Sequence, residues 1–284
     1  MKSKKVFHKK QFPFIFAYVP VAAWVSFTFV LIGWVFFASL STSPEIFSDH
    51  MFEFRSGFNF DNYARAWNTQ RVSVFFLNSL LYTVVSCTAI ILISSPAAYV
   101  LSRYNFRGNA LIQNLFAAAL GIPVLMIILP LFGIASSLRI TNNRLVLMFL
   151  YTAVHVPFGV FFMLAFFKNL SFTYEEAAYI DGCSPVKTFW KIIFPLVQPG
   201  LITLTVFNFI TIWNEFFMSL IFANKADVRP VAVGLYSMIQ SMRYTGDWGG
   251  MFASVVIVFL PTFVLYIFLS EKIIKGVTAG AIKG

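Results

Sequence analysis

Charge is the scarcest feature of this sequence. Asp, Glu, Lys and Arg together supply 11% of its 284 residues, where a soluble globular chain carries about 25%. That shortage excludes an ordinary soluble protein of this length. Cysteine is almost missing too. Cys87 lies in an apolar run and Cys183 in a polar one, so no disulfide framework is implied, and both read as small packing or loop residues. The three histidines, His8, His50 and His155, fall in separate segments. No Ser/His/Asp, Cys/His or paired-carboxylate constellation stands out among them. No G-x-x-x-x-G-K-S/T occurs, so the chain brings no phosphate-binding loop of its own. No intrinsic enzymatic activity is expected, and no internal repeat or low-complexity tract is visible.

What the sequence has in excess is apolar length. Hydrophobic residues make up 59% of the chain and the mean hydropathy is +0.79. Crossing a bilayer takes about 20 mostly apolar residues per helix. Six runs qualify, at 14–40, 72–101, 111–136, 145–167, 201–223 and 251–270. They are read as helices, because an open sheet edge has no partner in lipid. Pro96, Gly121, Pro123, Pro130, Gly133, Pro157 and Gly159 interrupt several of them. Such residues suit a bundle that changes shape, yet they are also common in membrane helices generally.

Placing the N-terminus in the cytoplasm puts the larger share of the 21 Lys and Arg on that side, including the KSKKVFHKK start. Most acids of the opposite loops, among them Glu45, Asp49, Glu53, Asp61, Asp227 and Asp247, lie outside. Both termini are therefore expected in the cytoplasm. The same asymmetry accounts for the net charge of +10 without a nucleic-acid partner. The first run is too long for a signal-peptide core and is read as an uncleaved span. The expected organisation is a tail at 1–13, a first span at 14–40, an extracytoplasmic loop at 41–71, a transmembrane domain at 72–275 and a tail at 276–284.

Between the fourth and fifth runs lies a polar interruption, EEAAYIDGCSPVKTFWKIIFPLVQPG. Thr173 and Glu176 have the spacing of a capping box, so a helix is expected to start at Thr173. Its acids sit where the helix dipole favours them. Asp181-Gly182 breaks it, because Gly takes a positive φ without steric cost. Ser184 suits a second N-cap and Pro185 the first helical position. The second helix is expected to run until Pro195, with Phe189, Ile192 and Ile193 on one face and Lys187 and Lys191 on another. Read alone this is an amphipathic connector, or a docking element that transmits displacement.

The residues at 173–195 resemble the EAA loop of binding-protein-dependent ABC transporter permeases. That pattern runs Glu-Ala-Ala, three residues, Gly, nine residues, Ile-x-Leu-Pro. Here Glu176-Ala177-Ala178, Gly182, Ile192 and Pro195 keep the spacing, with Phe194 in place of Leu. DNYARAW at 61–67, LNSLLYT at 77–83, SRYNFRG at 102–108, FITIWNEFFMSLIF at 209–222 and TAGAIKG at 278–284 are similar to the carbohydrate-type group, specifically its shorter, six-span subunit of the maltose-permease kind. The resemblance implies an all-α polytopic protein of the type I importer fold in a bacterial cell membrane. It implies Glu176, Ala177, Ala178, Asp181, Gly182, Ile192 and Pro195 as ATPase-coupling residues. It also implies a second homologous permease subunit, two ATP-binding subunits that hold ATP and Mg, an extracytoplasmic solute-binding protein that meets the outer loops, and a sugar substrate. No cofactor or metal is assigned to the chain itself.

Asn208, Trp213, Asn214 and Glu215 form a candidate substrate path. A membrane-embedded acid is costly and tends to face the bundle interior or water. Glu215 is also read as an outer-end residue pairing with a neighbouring subunit, and the two readings stay open. His155 reads as a packing residue. The alternative for the whole chain is an ion-coupled carrier or channel, which usually carries midplane charges and inverted repeats.

Overall fold

The computed structural model of the protein describes residues 12–48 and 53–281. Most of the basic tail, His50 and the last three residues lie outside them. The described residues form helices and turns only. In order these are α1 (Phe12–Ser39), α2 (Ser43–Ile46), α3 (Asp61–Asn68), α4 (Val72–Arg103), α5 (Asn109–Ala119), α6 (Val124–Ser137) and α7 (Arg144–Asn169). There follow α8 (Thr173–Ile180), α9 (Pro185–Thr188), a π-helical turn (Phe189–Ile193), α10 (Phe194–Leu196), α11 (Gln198–Trp213) and α12 (Phe217–Phe222). A 3-10 turn (Ala226–Val228), α13 (Val231–Thr245) and α14 (Trp248–Ala281) complete the chain.

Four of these helices are long and apolar enough to cross a membrane, at Tyr18–Ser39, Val72–Arg103, Arg144–Asn169 and Trp248–Ser270. Counting each of two bent pairs as one span raises the number to six. Trp24, Phe29, Leu125, Met126 and Phe268 present bare apolar surface, far more than a soluble monomer leaves open. This is a multi-pass membrane protein.

Two of the expected spans are not continuous helices. The run at 111–136 is split into α5 and α6, which bend by 95°. Pro123 sits at the break in an extended conformation, φ −64° and ψ 123°, and it restricts the residue before it as well. Pro96, Pro130 and Pro157 lie inside unbroken helices. The run at 201–223 begins earlier, at Gln198, and is interrupted between Trp213 and Phe217.

The chain divides into two compact units. Residues 71–238 with 258–284 form the larger, built around the packing of α4 against α7. A Cβ added to Gly159 would lie 2.4 Å from Ser94 Oγ, so the glycine is what lets the two backbones approach. In lipid such close approach, rather than escape from water, drives helix association. Ile90, Val160, Met163, Phe167, Ile193 and Leu204 are fully buried around this crossing. At one end, Asn78 donates to the carbonyls of Asp227 and Arg229, while Arg144 donates to Asn78 Oδ1 and to the Asp227 carbonyl.

The smaller unit, residues 1–70 with 239–257, is joined by polar groups. Asn62 is buried and donates to the carbonyls of Ser39 and Ser41. Arg65 and Gln70 donate to the Asp247 carboxylate at 3.2 and 2.8 Å. Burial pushes the Asp247 carboxyl up, but hydrogen bonds from Arg65 and the Gly250 N–H outweigh it and hold the pKa below the usual value. In the loop, Glu45 accepts from the N–H and hydroxyl of both Thr42 and Ser56. The Thr42 N–H and Ser56 hydroxyl do most to lower its pKa, to about 2.

Candidate functional site: the polar hairpin and its root

The hairpin expected at 173–195 is present, and local chemistry explains both of its halves. α8 ends in a Schellman motif. Gly182 has φ +71°, its N–H donates to the Tyr179 carbonyl, and the Cys183 N–H donates to the Ala178 carbonyl at 2.9 Å. Ser184 then caps α9, accepting from the Lys187 N–H, with Pro185 in the first turn.

Two local details differ from expectation. The Thr173–Glu176 capping box does not form. Phe172 holds the cap position, the Thr173 N–H donates instead to Ser171 Oγ, and the Glu176 side chain is exposed. Nor does Pro195 end the second helix, which runs to Leu196 before bending by 74° into α11. A proline ring clashes with the carbonyl four residues back, here that of Lys191. The π-helical turn just upstream, closed by the Phe194 N–H to the Phe189 carbonyl, widens the backbone there and accommodates it.

Phe189 and Ile193 are buried with Ile192 packed beside them, while Lys187 and Lys191 are exposed. The amphipathic reading of this face therefore holds. Of the family-implied coupling residues, Glu176, Ala177, Asp181 and Gly182 lie exposed around the turn, and Pro195 is exposed farther on. Ala178 is 2% exposed, so its small side chain serves the hairpin's own packing. Tyr179 and Ile180, which no motif flags, are each 83% exposed beside the turn.

The root of the hairpin holds a pair missed by the sequence reading. Arg103, in the last turn of α4, lies with Nε 2.7 Å from Glu175 Oε1, and their side chains are only 4% and 18% exposed. The Nε–H is not aligned on that oxygen, so the contact is an ion pair rather than a directed hydrogen bond. Arg103 also donates to the Leu170 carbonyl at 3.0 Å and stacks 4.3 Å from the Phe172 ring. A cavity of about 610 Å³ opens beside it, lined by Tyr99, Arg103, Tyr104, Glu176, Tyr179 and Cys183 among others. An arginine closing an apolar run was the available signal, but its partner lies far along the chain.

The four path candidates differ in exposure and in partners. Asn208 is buried and donates to the Leu204 carbonyl. Trp213 is 1% exposed, stacks on Phe209 and donates to the Val258 carbonyl. Asn214 is exposed. Glu215 fills the break before α12: Oε1 accepts from the Met218 N–H at 2.7 Å, and Oε2 from the Ser219 N–H, the Ser219 hydroxyl and Tyr151 Oη. His155 Nδ1 lies 2.7 Å from the Tyr151 carbonyl oxygen. Among the described residues no group of three or more His, Cys, Asp or Glu is placed to hold a metal ion.

Comparison with known proteins places this geometry in context. Residues 90–271 match the family described as binding-protein-dependent transport system inner membrane component. The chain is 31% identical over 260 residues to the diacetylchitobiose uptake system permease protein NgcG of Streptomyces coelicolor, spanning 92% of this chain and 86% of that one. It is 30% identical over 253 residues to the trehalose/maltose transport system permease protein MalG of Thermococcus litoralis, spanning 88% and 90%. A solved bacterial ABC transporter involved in the import of the acidic polysaccharide alginate shares the fold, with a TM-score of 0.80 at 21% identity over 95% of this chain and 99% of that one.

Proposed function

This chain belongs to the family of binding-protein-dependent transport system inner membrane components, and from that membership we propose that it is one membrane subunit of an ATP-driven importer for a sugar or oligosaccharide. The sugar class is supported by the names of its relatives, which carry diacetylchitobiose and trehalose or maltose. In this reading a second, homologous permease supplies the other half of the pathway. A pair of ATPase subunits binds ATP and Mg on the cytoplasmic side, and a solute-binding protein delivers the sugar to the outer loops. The chain crosses the bilayer six times with both ends in the cytoplasm, each broken pair counting as one crossing.

The observation that carries this reading is the hairpin. It offers Glu176, Ala177, Asp181 and Gly182 together with Tyr179 and Ile180 on one exposed end, and it continues through α10 into the apolar helix α11. A subunit gripping that end and closing on ATP displaces the hairpin. The displacement passes into the spans and reverses the side from which the path is open. Glu215 holds the broken end of the fifth span while the exposed Asn214 beside it remains available to substrate.

Reconstitution tests this. Vesicles holding this chain alone should take up no maltose or trehalose down a gradient, and vesicles holding the full assembly should hydrolyse ATP as they do so. Substantial passage of either sugar through the chain alone, without ATP, would replace the importer with a self-sufficient carrier.

A further inference from the structure

The first helix of the hairpin leaves α7 through the three-residue link Leu170, Ser171 and Phe172, while the second half is held by Phe189 and Ile193 packing among residues of α4 and α7. With the second half packed, the angle of α8 on that short link still needs its own tie if motion at the turn is not to be lost. Arg103 is placed for that task. It belongs to the last turn of α4, yet its guanidinium holds the end of α7 at the Leu170 carbonyl, the link at Phe172 and α8 at Glu175. Each contact falls within the first turn of the hairpin or just before it, so the cation ties the lever at its root rather than at its tip. The α4 end is itself anchored. Asn109 donates to the carbonyls of Leu101 and Tyr104, and Gln113 donates to Leu101, with Lys168 of α7 donating to Gln113.

We propose that Arg103 and Glu175 are positioning residues that lock the hairpin to α4, so that displacement imposed on the turn reaches α4 and α7 as one body. This rests on the coupling role proposed above. The physical case is one of cost: a largely buried ion pair must outweigh the desolvation of two charges, and apolar residues of similar volume frequently serve stability as well or better. What this pair adds to packing is reach: one cation contacts the end of α7, Phe172 and α8 together. Arginine suits it, because its planar fork serves a carboxylate, a carbonyl and an aromatic face at once.

The test uses the assembled transporter with Cys183→Ser, spin labels at Val186 on the hairpin and Val100 on α4, and Mg·ATP as the probe. In the parent assembly the interlabel distance should change by less than about 1 Å on ATP binding. In Arg103→Met or Glu175→Gln it should change by about 2 Å or more, the scale of a helix sliding at an interface. The exchanged pair, Arg103→Glu with Glu175→Arg, should recover part of the parent behaviour. An unchanged distance in both single variants overturns the lock, as does an ATP-driven change in the parent. Loss of the ATPase from Arg103→Met that the exchanged pair fails to restore also overturns it, since the pair would then be shaping the docking face. Failure of the ATPase to bind even the parent hairpin points elsewhere: it removes the coupling reading itself.

Discussion

Glu215 shows what a single side chain does where a membrane helix breaks. Its two oxygens receive the Met218 and Ser219 N–H groups and the hydroxyls of Ser219 and Tyr151. Removing the acceptor leaves donors unpaired in a dry setting, each costing about 1–3 kcal/mol. Glu215→Ala is expected to lower the melting temperature of the purified protein markedly, and Glu215→Gln to do so less; equal melting of all three proteins would contradict the assignment. Gly159 makes a steric counterpart. A leucine there drives into Ser94, and overpacking of this kind costs about 1–3 kcal/mol, to be read as reduced yield of folded protein in detergent. Glu45 supplies a pH dependence. Its pKa is lowered, to about 2, so its hold on Thr42 and Ser56 is fully present above the unfolded carboxyl value of about 4.3 and is lost as pH falls through the folded value. Amide exchange at Thr42 and Ser56, corrected for intrinsic rate, should accelerate between those two values, and Glu45→Gln should remove that dependence.

At the scale of elements, the hairpin was legible in the sequence because its punctuation is local. Gly182, Ser184 and Pro185 specify their own backbone geometry whatever surrounds them. The breaks in the spans were not legible. Pro123 stands at a break, as the cap that opens α6, whereas Pro96 and Pro157 sit within unbroken helices, and the sequence alone does not tell them apart because neighbouring helices decide which freed carbonyls are satisfied. The Thr173–Glu176 box failed for a related reason: Ser171 reached the Thr173 N–H, leaving the box unmade. The Arg103–Glu175 pair and the Tyr151–Glu215 contact join residues from different helices, and residue spacing carries no record of such partners. The turn yields a sharp prediction. A Cβ at Gly182 meets nothing within 4 Å, so only its positive φ opposes substitution. Asn adopts that region readily and Val does not. Gly182→Asn should keep the ATPase bound, and Gly182→Val should release it on co-purification. Loss of binding in both would mean that the side chain, not the backbone, is at fault.

At the scale of the whole molecule, the apolar runs and the exposed apolar surface state the environment, and the hairpin is the element on which the proposed task rests. A chain without a phosphate-binding loop of its own moves a solute against a gradient only by borrowing work, and the exposed hairpin end is where that work is proposed to enter. The measurement closest to this claim is labelling of Ile180→Cys, in a background of Cys183→Ser, by a membrane-impermeant maleimide. With this chain alone in inside-out vesicles the thiol should react quickly, and addition of the ATPase subunits should protect it. Reaction from the opposite face of the membrane, or a rate that the ATPase leaves unchanged, would contradict the account.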